Sequence, residues 1–466
     1  MRILPPVQPT AEQLKILADN KAGFTLIKGA AGSGKTTTAL LRLRQLCESW
    51  LARRERLDLT APVRVLVLTY NRTLEGYITE LARQQIAGRT GLQLEVMTLS
   101  KWAIGLMGGT DVLDRKDSEK LLRPYLRNVR GDENFLLEEI DYLLGRFEPN
   151  DLGSYLTARR DGRGITPRIE TPTKRQLLDE VIAPYTQDKL RLDVLDWNDV
   201  AVAAKMIQDV PPWDVVILDE AQDFSANQVR AVLAHLSDPF SVTFVMDAVQ
   251  RIYPRYFAWK EVGITRFENI YTLKRNYRNT KQIAAFARPL VEGLPAENDG
   301  AIPDFDACTK DGPLPLVVSG KYSDQIDYIL NRLLGTVDFG NESVAFLQTR
   351  GYGWFDALRA RLRSGGLPFA ELTRASRWPT GAESIALCTM HSAKGLEFDH
   401  VVMPGLNAEV TPHGNDEGDV QLDNLRRLIA MGVGRARKSV IIGYKPSDPS
   451  RVLGLLKPET YELVTL

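Results

Sequence analysis

The sequence predicts an α/β fold built on two parallel sheets, with a mostly helical insertion in the first. Three observations predict it. Short aliphatic or β-branched runs recur at 24–27, 63–68, 215–218 and 242–246. A second series follows at 316–318, 343–347, 385–387, 400–403 and 439–442. Each run ends in a loop and is followed by a helix-forming stretch, the pattern of strands joined by crossover helices. Glycine-rich or acidic residues stand directly after several runs, where open parallel sheets collect ligands.

The first run leads into Gly29-Ala30-Ala31-Gly32-Ser33-Gly34-Lys35-Thr36, which reads G-x-x-x-x-G-K-T. Glycines let backbone N–H groups turn toward a phosphate chain, and the following helix start adds partial positive charge. Lys35 is placed for the β- and γ-phosphates, and the Thr36 hydroxyl for Mg²⁺. A glycine turn matching by chance is the bland alternative; strand, loop, Lys-Thr and helix agree against it. The 215–218 run ends in Asp219-Glu220-Ala221-Gln222-Asp223. Asp219 can hold Mg²⁺ opposite Thr36, and Glu220 can polarise an attacking water.

Between these strands, residues 76–205 read as a charged, mostly helical insertion. The expected domains are therefore 1–75 with 206–270, the insertion at 76–205, and a second sheet over 271–466. Within the insertion, Arg159-Arg160-Asp161-Gly162-Arg163-Gly164 is a basic loop, either a solvated turn or a nucleic-acid contact.

With 466 residues the chain has room for about two or three domains. Hydrophobic residues are 44% and charged residues 25%, an ordinary globular balance. Lys+Arg and Asp+Glu are 59 each, so a nucleic-acid site must come from local clustering, not from net charge. Cys47, Cys308 and Cys388 are far apart, which argues against a disulfide framework or a zinc or iron–sulfur site. No signal-peptide pattern and no apolar run of membrane-spanning length is present, so a cytoplasmic location is expected.

Further blocks carry a family resemblance. D-E-A-Q-D at 219–223 resembles motif II of superfamily-1 helicases, and other blocks follow in the family's order. Thr10-Ala11-Glu12-Gln13 resembles the Q-motif, Leu68-Thr69-Tyr70-Asn71 motif Ia, and Thr98-Leu99-Ser100 the T-F-H block. Met246-Asp247-Ala248-Val249-Gln250-Arg251-Ile252-Tyr253 resembles motif III, and Leu273-Lys274-Arg275-Asn276-Tyr277-Arg278 motif IV. Thr389-Met390-His391-Ser392-Ala393-Lys394-Gly395-Leu396-Glu397-Phe398 resembles motif V of the UvrD-like group, and 426–436 resembles motif VI. The resemblance spans residues from about 10 to 445 and implies two RecA-like P-loop domains.

It also implies roles. Gln13 would read the adenine edge, Tyr277 would stack on the base, and Glu397 would lie at the ribose. Thr37 stands where the family usually has arginine, which bears on one side of the adenine sandwich. Arg278 and Arg435 would be arginine fingers, and Gln250 a γ-phosphate sensor. Thr69, Tyr70, Asn71, Thr98, Thr389 and His391 would contact single-stranded DNA. The cations and rings of Arg251, Tyr253, Arg255, Tyr256, Phe257 and Trp259 suit base stacking, although about half of the rings are expected in the core. Arg255 replaces the family's stacking tryptophan, which passes that task to Tyr256 or Trp259. Met246, Ser100 and Gly434 are further departures, for glycine, histidine and threonine.

Large UvrD-like enzymes insert a subdomain before motif V, where only 373–384 remain here. The resemblance implies an ATP- and Mg-dependent 3′→5′ translocase or helicase on single-stranded or tailed DNA. Compact UvrD-like proteins also occur in nuclease-linked antiviral defence systems such as Gabija. That implies, as an alternative, a DNA-stimulated ATPase controlling a partner nuclease; an RNA helicase is the other alternative.

Overall fold

Two all-parallel sheets organise the computed structural model, which describes residues 9–29, 33–69, 72–158, 169–246, 257–273, 279–294, 308, 310–349, 352–373, 378–379, 381–393, 396–412 and 419–466. The first sheet contains β1 (Gly23–Gly29), β2 (Val63–Thr69), β3 (Leu92–Thr98), β4 (Trp213–Leu218), β5 (Leu236–Met246) and β6 (Asn269–Leu273). Their spatial order is β3-β2-β4-β5-β1-β6. The second contains β7 (Leu316–Ser319), β8 (Val344–Gln348), β9 (Phe369–Glu371), β10 (Ile385–Thr389), β11 (Phe398–Met403), β12 (Ala436–Tyr444) and β13 (Glu462–Thr465). Its order is β13-β7-β12-β11-β8-β10-β9.

Central strands such as β4 and β8 are buried along their whole length, as strands covered on both faces must be. Because every pairing in the first sheet is parallel, β1, β5 and β4 end on one edge as three neighbours. The glycine-rich loop follows β1 and the acidic pair follows β4, so the order of strands alone brings them within reach. The segment expected to carry motif III leaves β5 between them; residues 247–256 lie outside the described residues.

The expected insertion at 76–205 is too wide. β3 and the helices flanking it, Arg72–Ile86 and Leu99–Leu106, belong to the first sheet's layers, because β3 pairs with β2 along its whole length, from Val63↔Leu92 to Thr69↔Thr98. Helix Trp197–Met206 also belongs to the first sheet's layers, through Val200 and Ala204, so the inserted helices run from Arg115–Leu126 to Ala183–Leu192. They enclose their own core, with Leu136, Leu143, Leu177 and Tyr185 almost fully buried. The second boundary also moves: β6, which reaches Leu273, pairs with β1 rather than starting the second sheet at 271.

The insertion is fastened by polar contacts rather than by sheet pairing. Asn227 donates from Nδ2 to the carbonyls of Leu144 (2.9 Å) and Phe147 (2.8 Å). Arg146 forms a paired contact with Glu261, at 2.8 Å and 2.7 Å. These partners stand after the acidic pair and after the 247–256 segment. The base of the insertion is thus attached to elements leading directly from the site.

Arg42 is the largest fully buried side chain, on helix Lys35–Arg56. Its guanidinium donates to the carbonyls of Ile16 (2.9 Å) and Asp19 and to the hydroxyls of Thr25 (3.2 Å) and Thr243 (3.3 Å). The Asp19 carboxylate lies 3.6 Å away and also accepts from Asn269 and Tyr271. One cation therefore holds helix Ala11–Leu17, β1 and β5 together. Removing it strands a buried carboxylate and several carbonyls. Arg42→Met should cost about 3 kcal/mol and lower the thermal midpoint measurably; an unchanged midpoint would show that this network carries little of the stability.

Candidate functional site

The site forms where β1 and β4 end. Gly34 has φ 79° and caps helix Lys35–Arg56, a backbone conformation that favours glycine. A Cβ at Gly34 would lie 2.8 Å from Gln13 Nε2, so glycine is needed for space as well. Gly29 is equally confined: its Cβ would meet Ser33 Oγ at 2.4 Å and the Leu273 carbonyl at 3.0 Å. Lys35, Thr36 and Thr37 occupy the first turn of the helix, partly exposed at its positive end. Ala30, Ala31 and Gly32 lie outside the described residues.

Gln13 sits against this loop. Its side-chain oxygen accepts from Thr10 N at 2.9 Å, while Thr10 Oγ1 accepts from Gln13 N, a reciprocal cap on helix Ala11–Leu17. Its Nε2 donates to Thr38 Oγ1 at 2.9 Å, and Thr38 in turn donates to the Gly34 carbonyl at 2.7 Å. Gln13 is therefore locked to the loop through Thr38, a residue the motif reading did not single out.

Thr36 Oγ1 lies 3.1 Å and 3.2 Å from the two carboxylate oxygens of Asp219. Asp219 is 2% exposed and Glu220 5% exposed. Burial, and after it the neighbouring Glu220 charge, together raise the Asp219 carboxyl to about 7 against the opposing pull of Thr36 and Lys35. Two buried carboxyl groups beside a hydroxyl and a lysine fit a hard cation with oxygen ligands, so Thr36 and Asp219 would hold Mg²⁺.

Glu220 has φ 56° and ψ 43°, left-handed backbone that a glutamate rarely adopts and that costs about 1–3 kcal/mol. Its carboxylate also accepts from Gln222 Nε2. The sequence assigns Gln222 no role; in the structure its amide holds the Glu220 carboxylate.

In the second sheet the assigned residues fall on opposite edges. Glu397 and Arg435 precede β11 and β12, at the strands' N-terminal edge. Phe398 N donates to the Arg435 carbonyl at 2.9 Å, which joins the two. Arg435 is 3% exposed, with Nε on the Met431 carbonyl (3.2 Å) and Nη1 on the Leu396 carbonyl (3.4 Å). Thr389 ends β10 and His391 follows it, at the C-terminal edge. Thr389 Oγ1 donates to Ser392 Oγ at 3.0 Å and accepts from its N–H.

Three strand-contact assignments meet a different setting. The Thr69 hydroxyl is fully buried, with no hydrogen-bond partner among the described residues, because β2 is a covered strand up to its end. Thr98 Oγ1 accepts from Lys101 N as the cap of helix Leu99–Leu106. On the same edge Lys101, 65% exposed with its ammonium 3.0 Å from Glu75, is the cation presented to solvent. Trp259 is half-buried, its ring 4.8 Å from Phe244 and 5.2 Å from Phe267, packed beneath β5 rather than open for stacking. Tyr70, Asn71, Arg159–Gly164 of the basic loop, Gln250, Tyr253, Arg255, Tyr256, Tyr277 and Arg278 lie outside the described residues.

Fold and site together define a P-loop nucleotide-binding protein of two parallel sheets. Comparison with known proteins narrows this. The "AAA domain" family matches residues 13–255, and the "UvrD-like helicase C-terminal domain" family matches residues 370–447. "ATP-dependent DNA helicase UvrD2" of Mycobacterium tuberculosis is 23% identical, over 94% of this chain and 80% of that protein. "DNA helicase II" of Escherichia coli is 35% identical, over 19% of this chain and 14% of that protein. A crystal structure described as the C-terminal domain of a possible DNA helicase from Lactobacillus plantarum is 21% identical, covering 40% of this chain and 98% of that one at a TM-score of 0.30. The chain belongs to the UvrD-like superfamily-1 helicases.

Gly34→Ala tests the loop directly. The added methyl meets both the left-handed backbone and the Gln13 amide, so affinity for a fluorescent ATP analogue should fall by on the order of tenfold or more. Wild-type affinity in a titration would show that the loop does not need this conformation.

Proposed function

We propose that this protein is an ATP-driven translocase or helicase that moves along single-stranded DNA with 3′→5′ polarity. The observation that carries the proposal is the contact of Thr36 with Asp219 beside a strained, buried Glu220. ATP lies with its phosphates over 29–36 and its adenine edge at Gln13. Thr36 and Asp219 would hold Mg²⁺, which when bound would neutralise phosphate charge.

Glu220, oriented by Gln222, accepts a proton from water as the water oxygen bonds to the γ-phosphorus. The bond from that phosphorus to the β–γ bridging oxygen breaks, and the electron pair leaves with ADP. Lys35 neutralises the phosphates from the first sheet; Arg435 and Arg278 do so from the second. Closing and opening of the two sheets around this chemistry would step the strand. The relatives named above as DNA helicases support DNA as the track.

A second reading is favoured by one feature. Only residues 372–384 connect β9 to its parallel neighbour β10, the place where larger relatives carry a subdomain. A chain without it would hydrolyse ATP and translocate better than it unwinds, and would need self-association or a partner, such as a nuclease, for robust unwinding.

Glu220→Gln should bind ATP as the wild type does yet hydrolyse it about 10²-fold or more slowly in single-turnover assays with single-stranded DNA; wild-type turnover would remove Glu220 from the chemistry. Strand displacement on 3′-tailed, 5′-tailed and RNA substrates tests the track. The expected result is activity confined to 3′-tailed DNA, weak for verified monomer. Activity on 5′-tailed or RNA substrates would overturn polarity or substrate, and efficient unwinding of long duplexes by monomer would overturn the need for a partner.

A further inference from the structure

Asn279 follows Arg278 by one peptide bond and is 3% exposed. Its Nδ2 donates to the carbonyls of Gly434 (3.3 Å) and Ala436 (2.5 Å), the two residues that flank Arg435. A primary amide has two N–H bonds on one nitrogen, and each finds one carbonyl. The next residue, Thr280, caps helix Lys281–Val291 by accepting from Ile283 N at 3.2 Å. Asn279 is therefore held rigidly on its own element while it grips another.

The backbone it grips is held from the other side as well. The Arg435 carbonyl accepts from Phe398 N at 2.9 Å, and Arg435 N donates to the Gly432 carbonyl at 3.1 Å. Helix Val420–Val433, which delivers Arg435, packs against helix Lys281–Val291. At the far end of that pair, Arg426 donates to the carbonyls of Leu290 (3.0 Å) and Glu292 (2.5 Å). Two polar ties, one at each end, thus prevent the helices from sliding. Only the Asn279 tie reaches the residues on either side of Arg435.

We infer that Asn279 is a positioning residue that fixes the backbone on both sides of Arg435, so that the Arg435 guanidinium is set toward the phosphate chain. The inference rests on the reading that Arg435 acts on ATP. Its physical basis is geometric: Asn279, held at the start of helix Lys281–Val291, is hydrogen-bonded to the carbonyls on both sides of Arg435, 155 and 157 positions away in sequence. A displacement of about 1 Å at a reacting centre can cost about 10²-fold in rate, so the tie matters for turnover more than for ATP affinity.

The test is a double-mutant cycle on the full chain, using Mg-ATP with saturating single-stranded DNA. Arg435→Ala alone should lower kcat by about 10³-fold or more, the loss expected for an arginine finger. Asn279→Ala should lower kcat by about 10- to 100-fold with KM for ATP changed by less than about twofold. In the Arg435→Ala background, Asn279→Ala should add almost nothing, because the residue acts through Arg435.

Asn279→Ser, which keeps one donor, should recover part of the loss. If Asn279→Ala does not give a cooperative thermal melt, Asn279→Ser carries the same cycle. Wild-type kcat for the Asn279 variant, or losses that multiply in the double variant, would overturn the inference while leaving the Arg435 reading intact. Wild-type kcat for Arg435→Ala would overturn the reading and the inference with it.

Discussion

The hydroxyl of Thr36 and the carboxylate of Asp219, 183 residues apart in the chain, meet within hydrogen-bonding distance, and the rest of the site is arranged around that meeting. It requires β1, β5 and β4 to be neighbours in that order with their ends on one edge. Burying the Asp219 carboxyl there beside Glu220 disfavours its charged form, and the left-handed turn at Glu220 adds backbone strain. Neither feature stabilises the fold, so both identify a place where the surrounding sheet holds a costly arrangement. Opposite charge from Lys35, and from a divalent cation when one is bound, relieves it.

Around that centre the protein is tied by single polar side chains that reach between elements. Arg42 anchors the Gln13 helix to the sheet, Thr38 links Gln13 to Gly34, Gln222 orients Glu220, and Asn279 joins two segments beside Arg435. Arg146 and Asn227 bind the helical insertion to elements that lead out of the same strand ends. Apolar packing also crosses from the first sheet's layers to the second's: the rings of Tyr77, on helix Arg72–Ile86, and Trp378, in the short β9–β10 connection, lie 5.0 Å apart. The β9–β10 connection is thus packed, through Trp378, against the first sheet's helix layer.

Much of this was legible in the sequence, for a local reason. The glycine loop, the Asp-Glu pair and nine strands are recorded in contiguous residues, and contiguous patterns survive folding unchanged. β3 was missed because Leu92-Gln93-Leu94-Glu95 alternates as a half-exposed edge strand inside a helix-rich stretch. β6, β9 and β13 were missed because all three lie at sheet edges and β9 is only three residues long. The roles of Thr38, Gln222 and Asn279 were not legible, because their partners are single hydroxyl, carboxylate or carbonyl groups that no motif records. Thr69 and Trp259 show the converse: residue type and position suggested a contact with nucleic acid, and burial placed one in a covered strand and the other among core rings.

The central claim is that one phosphate chain is held between the first sheet's loop and an arginine of the second. A crystal structure with Mg-ADP and a γ-phosphate mimic tests it most directly. The metal is expected between Thr36 and Asp219, water beside Glu220, and the Arg435 guanidinium on the mimic, released from the carbonyls of Met431 and Leu396. Nucleotide bound over 29–36 with Arg435 still on those two carbonyls, or a metal held elsewhere, would contradict it.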